Sequence, residues 1–123
     1  MTLTPHGLDH VAINVPDVPG AITFYTEVLG LKENHTRPDF GFAGAWLDAG
    51  GQQVHLIELP IAPNVGQHFA ILYDDLAAVV AELRGLGYEV TDPKPTSPDR
   101  LQAFVSDPWG NGIELHQHDP VGG

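Results

Sequence analysis

The chain has 123 residues, a length typical of about one domain, and 42% of them are hydrophobic, which is enough to bury a core. With 16 acidic and 5 basic residues its formal net charge is −11, so repulsion disfavours binding to nucleic acid or to an anionic membrane surface. It contains no cysteine, which excludes disulfides and thiolate ligands and leaves imidazole and carboxylate to hold any metal ion.

The first half of the chain, about residues 6–60, is predicted to contain a strand, a helix and two further strands. Apolar and polar residues alternate along the strand segments, which are rich in branched side chains. Asp17 has the position of a helix N-cap, and Gly30 has the position at which a left-handed residue ends a helix. The predicted strands cover residues 8–15, 40–47 and 52–59.

The second half, about residues 67–118, repeats this order after an irregular linker over residues 60–66. Asp75 is the predicted N-cap of an amphipathic helix, which Gly85 and Gly87 end. A short strand is expected before the last two, which flank a turn rich in proline and glycine. The predicted strands cover residues 68–73, 88–90, 101–105 and 112–117.

Histidine recurs at equivalent positions of the two halves. The run DHVAI around His10 is matched 58 residues later by QHFAI around His68, and a strand-like run in each half carries one more potential ligand, His55 or Glu114. Repeats of this length usually signal modular architecture. We therefore expect one α+β domain over residues 1–123, made of two similar modules that bring these side chains to one metal ion.

Side-chain alternation places the four residues on the same kind of strand face. The opposite faces are uniformly apolar and should pack under the helices, so the four lie on the mixed face that lines a cavity. Glu58 has the parity of the apolar face, which makes His55 the better fourth ligand. His116 has the correct parity but lies one step further along its strand. Histidine with carboxylate suits zinc, nickel, cobalt, manganese or ferrous iron, and residue type does not choose among them.

The chain resembles the vicinal oxygen chelate superfamily, which includes glyoxalase I, extradiol dioxygenases, fosfomycin-resistance proteins and bleomycin-binding proteins. The segments that carry the resemblance are residues 8–13, 24–31, 67–70 and 107–115. The resemblance implies paired βαβββ modules, a cupped mixed sheet around a divalent metal ion, and a homodimer. It implies metal ligands at His10, His55, His68 and Glu114. Trp109 stands where the family commonly has aspartate, and it is expected to bring an aromatic ring near the mouth of the cavity.

Aromatic and basic residues indicate where a substrate binds. Phe40, Phe42 and Trp46 can wall an apolar pocket, although aromatic residues in strands more often belong to the core. Arg37 and Arg100 are scarce positive charges that can hold an anionic group, although a solvated surface arginine is the more common case. The predicted pocket residues are Phe40, Phe42, Trp46, Trp109, Arg100 and His116.

Such a metal site can bind two neighbouring substrate oxygens and stabilise an oxyanion. This predicts a metal-dependent lyase or isomerase of glyoxalase type, with Glu114 as the catalytic base. Glyoxalase I often has two glutamate ligands, and His55 in place of one of them argues against a two-base proton shuttle.

Three other activities stay open. His10, His68 and Glu114 form a two-histidine, one-carboxylate set that suits an extradiol-type Fe(II) dioxygenase. A protein that binds a drug or metabolite without catalysis, as in bleomycin resistance, is the second, and fosfomycin-type thiol transfer is the third.

The expected partner in all of these is a small molecule. The N-terminus lacks a basic stretch followed by an apolar one, and no apolar run approaches the roughly 20 residues of a membrane helix. We therefore expect a cytoplasmic protein with neither a membrane nor a nucleic-acid partner.

Overall fold

Two four-stranded mixed sheets, one in each half of the chain, form the framework of residues 3–118, the part that this computed structural model describes. The chain divides between Pro60 and Ile61 into two compact units, called here the first and the second unit. Each unit is a βαβββ module. The predicted α+β fold with two tandem modules is therefore confirmed.

The first unit builds its sheet from one parallel and two antiparallel strand pairs. The strand order is β1-β4-β3-β2, with β1 parallel to β4. The helix α1 continues directly as a π-helical segment over Phe24–Val28. The elements are β1 (His10–Val15), α1 (Val18–Thr23), β2 (Lys32–Asn34), β3 (Gly44–Ala49) and β4 (Gln52–Glu58).

The second unit repeats this topology with strand order β5-β8-β7-β6, and β5 is parallel to β8. Because β5 and β8 are adjacent, side chains near their starts become neighbours although they are far apart in the sequence. The elements are β5 (His68–Leu72), α2 (Leu76–Gly85), β6 (Lys94–Ser97), β7 (Arg100–Ser106) and β8 (Gly112–His118).

The helix boundaries follow from capping residues that the sequence places at equivalent points. The Asp17 side chain accepts a hydrogen bond from the backbone N–H of Gly20, and the Asp75 side chain accepts one from Ala78. Each cap satisfies a donor that the first turn of a helix leaves without a partner. Gly30 follows the π-helical segment with a φ of 85°, a conformation that glycine adopts without steric cost.

The predicted strands differ from those of the structure at three places. β2 was not predicted, because its Lys-Glu-Asn sequence has no apolar alternation. The strand predicted over residues 40–47 begins only at Gly44, since residues 40–43 leave the sheet as a bend. Residues 88–90 form no strand, and the corresponding strand is β6, whose Lys-Pro-Thr-Ser sequence lacks branched apolar residues.

The apolar core of each unit lies between its helix and one face of its sheet. In the first unit α1 packs on β3 and β4, and in the second unit α2 packs on β7 and β8. Strands β4 and β8 alternate between buried and half-exposed residues, as the sequence pattern predicts. The buried sheet residues include Val15, Leu47, Val54, Leu56, Ala103, Val105, Ile113 and Leu115. The second face of each sheet is therefore the one that can carry chemistry.

A buried glutamine connects the sheet of the second unit to its helix. Gln117 is only 4% exposed, and its side-chain oxygen accepts a 2.7 Å hydrogen bond from the backbone N–H of Leu76, the first residue of α2. That N–H has no partner within the helix, so the glutamine completes the capping of the first turn. Over residues 3–118 no helix is long and apolar enough to cross a membrane.

Candidate functional site

The first unit brings His10 and His55 together on the half-exposed face of its sheet. His55 lies opposite Ala12 across the parallel β1–β4 pair, which leaves it diagonally next to His10. The two imidazole rings stack with centroids 3.8 Å apart and an angle of 13° between their planes. His10 Nδ1 lies 2.9 Å from the exposed carboxylate of Asp9. Both predicted ligands of the first unit are therefore neighbours.

A chain of hydrogen bonds fixes the orientation of His55. The Gln53 amide nitrogen donates to Asp48 Oδ1 at 3.2 Å, so its oxygen faces His55 and accepts from His55 Nε2 at 2.8 Å. This network assigns the proton of the neutral ring to Nε2 and leaves Nδ1 as a lone-pair donor. Burial lowers the pKa of His55, and the charges of His10 and Arg37 add to this effect against an opposing contribution from Asp9. The neutral form, which is the form that binds metal ions, is thus favoured.

The second unit brings His68 next to Glu114 in the same way. His68 Nε2 lies 3.2 Å from Glu114 Oε1, across the parallel β5–β8 pair. The other ring nitrogen, Nδ1, lies 2.9 Å from the carbonyl oxygen of Gly66, which can only accept a hydrogen bond. The ring is thus held with Nε2 directed toward the carboxylate. Phe104 packs edge-on against His68, with centroids 5.4 Å apart.

Glu114 has a second histidine neighbour on its own strand. His116 Nδ1 lies 2.7 Å from Glu114 Oε2, and both side chains are about six-sevenths buried, at 15% and 14% exposure. His116 Nε2 is buried and has no hydrogen-bond partner among residues 3–118. His116 therefore fixes one carboxylate oxygen of Glu114 and leaves the other oxygen to His68.

The four predicted ligands thus form two pairs, one within each unit. Among residues 3–118 no three His, Asp or Glu side chains lie close enough together to hold a metal ion. The donor types nevertheless suit a divalent transition metal. In each of the three histidines one ring nitrogen already has a polar partner, which is the arrangement that commonly orients histidine ligands in metal sites.

Aromatic rings extend the first pair across the sheet of the first unit. Trp46 on β3 lies opposite His55, and their rings are 4.7 Å apart and nearly parallel. Phe40 lies 6.3 Å from Trp46, and Phe42 lies 5.8 Å from Phe40. The two phenylalanines are about half exposed. We call this row of His10, His55, Trp46, Phe40 and Phe42 the ring row.

The remaining predicted pocket residues belong to the second unit. Arg100 pairs with His118 across β7 and β8, and its Nη1 lies 2.9 Å from His118 Nε2. Trp109 is half-buried in the turn before β8, where its backbone N–H donates to Asp107. Gln102 lies opposite His116, so the face that carries Glu114 continues along β7 as far as Arg100.

Sequence reasoning overlooked the residues that orient the ligands. Gln53 and Asp48 hold His55, and Phe104 packs on His68. Gln53 has the same parity as His55, two positions away on one strand, so period-two alternation was a usable signal for it. Phe104 lies opposite Glu114 in the β7–β8 hairpin, a relationship that depends on the register of two strands joined by a turn.

Known proteins share both the sequence pattern and the fold. A family model described as the Glyoxalase/Bleomycin resistance protein/Dioxygenase superfamily matches residues 7–115. Lactoylglutathione lyase of Escherichia coli O157:H7 is 30% identical over 92% of this chain and 93% of its own length. Lactoylglutathione lyase GLX1 of Arabidopsis thaliana is 34% identical over 91% of this chain. The chain spans only 36–44% of the length of such plant relatives.

Two solved structures extend this likeness to three dimensions. A glyoxalase family protein from Bacillus anthracis superposes with a TM-score of 0.83 and 30% identity, over 96% of this chain and 99% of that one. TnmS3, an antibiotic-binding protein from Streptomyces sp. CB03234, superposes with a TM-score of 0.78 and 26% identity, over 96% and 98% of the two chains. A glyoxalase family protein and an antibiotic-binding protein therefore both resemble this fold.

Proposed function

Because the chain belongs to the glyoxalase/bleomycin resistance protein/dioxygenase superfamily, we propose that it is a metal-dependent lyase or isomerase of glyoxalase type. Its substrate is a small molecule that presents two neighbouring oxygens. The observation that carries this proposal is the pairing of His68 with Glu114, together with the stacked His10 and His55. Lactoylglutathione lyases among the relatives support the same reaction class.

His10, His55, His68 and Glu114 are the residues that would hold the divalent metal ion. When bound, the ion acts as a Lewis acid that stabilises negative charge on a substrate oxygen. His55 offers Nδ1, since its Nε2 is bonded to Gln53, and His68 offers Nε2, since its Nδ1 faces a carbonyl oxygen. The half-exposed sheet faces keep these nitrogens accessible to a ligand.

Glu114 is the residue that we propose moves the proton. Its Oε1 accepts a proton from the hydroxyl-bearing carbon next to a substrate carbonyl and returns it to the carbonyl carbon, while the hydroxyl proton passes to the former carbonyl oxygen. The isomerisation therefore needs no oxidant or reductant. His116 holds Oε2 and thereby directs Oε1 outward from its own strand. Because the Glu114 side chain is only 14% exposed, water competes little with the substrate for Oε1. A single glutamate performs both transfers, since His55 takes the place of a second one.

A non-catalytic binder is the second candidate, and the ring row favours it. Phe40 and Phe42 leave about half of their surface open, 51% and 52%, beside Trp46 and His55. Exposed aromatic faces suit a planar apolar ligand. The similarity to an antibiotic-binding protein agrees with this alternative.

The decisive experiment is elemental analysis of protein purified without a histidine tag, followed by a lyase assay. We expect zinc, nickel, cobalt or manganese at about one ion per chain and conversion of the hemithioacetal of methylglyoxal and glutathione. Iron with ring-cleavage activity would instead support the dioxygenase. A protein that takes up no metal after reconstitution, and converts no hemithioacetal, would support the binder.

Two further proposals concern the state of the protein in the cell. We propose a homodimer, which sedimentation equilibrium tests directly. A cytoplasmic location also stays a proposal, consistent with the expected small-molecule substrate.

A further inference from the structure

We propose that Arg37 binds an anionic group of the substrate, and that the substrate is a small organic anion with an apolar or aromatic part next to its charge. This inference deepens the proposed function, because it assigns a substrate class to the same face that carries His10 and His55. It concerns contacts within the first unit only.

The guanidinium of Arg37 is held in a defined place. Its Nη2 donates a 3.0 Å hydrogen bond to the backbone oxygen of Phe42. Its central carbon lies 5.1 Å from the ring centroid of Phe40 and 5.3 Å from that of Phe42. Arginine stacks on aromatic faces and keeps its outer N–H groups available as a planar fork. The side chain is therefore ordered before any ligand binds.

Gly44 provides the space that this arrangement needs. A Cβ at position 44 would lie 2.9 Å from Arg37 Nη2 and 3.2 Å from its central carbon, as well as 2.5 Å from the backbone oxygen of Leu56. Glycine at the start of β3 thus lets the guanidinium lie against the sheet. The sequence supplies both the charge and the space for it.

The charge of Arg37 is not neutralised within the part of the chain that the structure describes. Arg84 pairs with Asp92 at 2.7 Å, whereas Arg37 forms no ion pair with a carboxylate among residues 3–118, and neither does Arg100, which bonds to the His118 imidazole. This is notable in a chain with 16 acidic and 5 basic residues. An anion approaching the protein meets net repulsion, so a local unpaired guanidinium is the place where it can bind.

Arg37 also adjoins the candidate metal ligands. Phe40 contacts both Arg37 and Trp46, and Trp46 stacks on His55. A substrate bound at His10 and His55 can thus place an apolar part along the ring row and its charge at Arg37.

The competing explanation is that Arg37 only fastens the bend over residues 40–43. The first test separates the two by using sodium benzoate and its neutral analogue benzyl alcohol as probes. We expect benzoate to shift the side-chain Nε–H resonance of Arg37 saturably, with an affinity on the order of millimolar, and benzyl alcohol to leave it unshifted. Arg37→Gln should abolish benzoate binding and Arg37→Lys should retain part of it. Arg84→Gln, which changes the net charge equally, should bind benzoate like the wild type.

A second measurement uses the lyase assay with the hemithioacetal of methylglyoxal and glutathione, which carries carboxylates. We expect Arg37→Gln to raise KM about tenfold with little change in kcat, because the lost contact exists in both ground and transition states. If benzoate binding and KM are both unaffected by Arg37→Gln, the inference is wrong while the proposed function stands. If the wild type has no lyase activity, the proposed function is wrong, and the benzoate titration alone decides on Arg37.

Discussion

His68 and Glu114 face each other across two parallel strands, and each is held by a second partner. Their nearest atoms, Nε2 and Oε1, are 3.2 Å apart. Gly66 fixes the far nitrogen of the histidine, and His116 fixes the far oxygen of the glutamate. The nitrogen and oxygen that remain are the atoms that we propose as metal donors. This arrangement leads to the first two predictions.

The double variant His10→Ala, Glu114→Ala should lose metal binding and remain folded. His10→Ala removes one donor from the first unit and Glu114→Ala removes one from the second. Metal affinity should therefore fall by at least about 100-fold, which is more than the loss expected for residues that only orient the ligands. Isothermal titration with zinc measures the loss, and far-ultraviolet circular dichroism measures the fold. His35→Ala is the control, because His35 is an exposed histidine with 81% of its side chain accessible. Wild-type zinc affinity in the double variant would rule out these two residues as ligands.

Replacing His116 should weaken metal binding and lower the stability of the protein. His116→Leu removes the donor to Glu114 Oε2, and metal affinity should fall about 10- to 100-fold, as for residues that orient ligands. The same change removes a buried nitrogen without a partner among residues 3–118, but it leaves the largely buried Glu114 Oε2 without this donor, so stability should fall by about 1–3 kcal/mol. His116→Gln, which keeps a donor, should lose less affinity. Equal losses in both variants would contradict the proposed orienting role.

Gln117→Leu should destabilise the protein by about 1–3 kcal/mol, because it leaves the buried N–H of Leu76 without an acceptor. Urea unfolding followed by circular dichroism gives the free energy. Gln52→Leu is the matched control, since Gln52 is exposed and its side chain donates to the carbonyl oxygen of Leu8. An unfolding free energy for Gln117→Leu equal to that of the control would show that the capping contact contributes nothing.

Burial raises the pKa of Tyr73 to about 12, against a usual value of 10. The folded protein therefore holds this phenol neutral where the unfolded chain ionises it. The resulting stabilisation is fully present below pH 10 and is lost as the pH rises toward 12. Ultraviolet titration should show a tyrosine that ionises near pH 12, and Tyr73→Phe should remove that step. If the late ionisation persists in Tyr73→Phe but disappears in Tyr88→Phe, it belongs to Tyr88 and the prediction for Tyr73 is wrong.

The sequence allowed the modular fold, and the strand faces that carry the four candidate ligands, to be predicted for identifiable reasons. Asp17 and Asp75 signal equivalent helix starts, and period-two alternation places His10 and Glu114 on the half-exposed faces. Residues 40–43 were harder, because Phe-Gly-Phe-Ala alternates like a strand. Their departure from the sheet involves Arg37, whose contacts with Phe40 and Phe42 depend on the folded structure.

The atoms that the orienting residues present were beyond reach for a physical reason, although the strand face of Gln53 was not. Gln53 holds His55 only because Asp48 fixes the direction of its amide, and that contact joins two adjacent antiparallel strands. Amide direction is decided by surroundings rather than by residue type. Sequence patterns indicate which side chains share a face, whereas the folded neighbours decide which atoms each side chain presents.

The position of His55 on an ordinary strand has a consequence for how this protein evolves. The sheet beneath it is held by the backbone pairing of β4 with β1 and β3 and by the buried Val54 and Leu56, none of which depends on the imidazole. A single codon change at this site can therefore exchange the donor while the scaffold persists. New reactivity is accessible here to natural selection, and to a protein engineer, without the risk of unfolding that accompanies changes in a core.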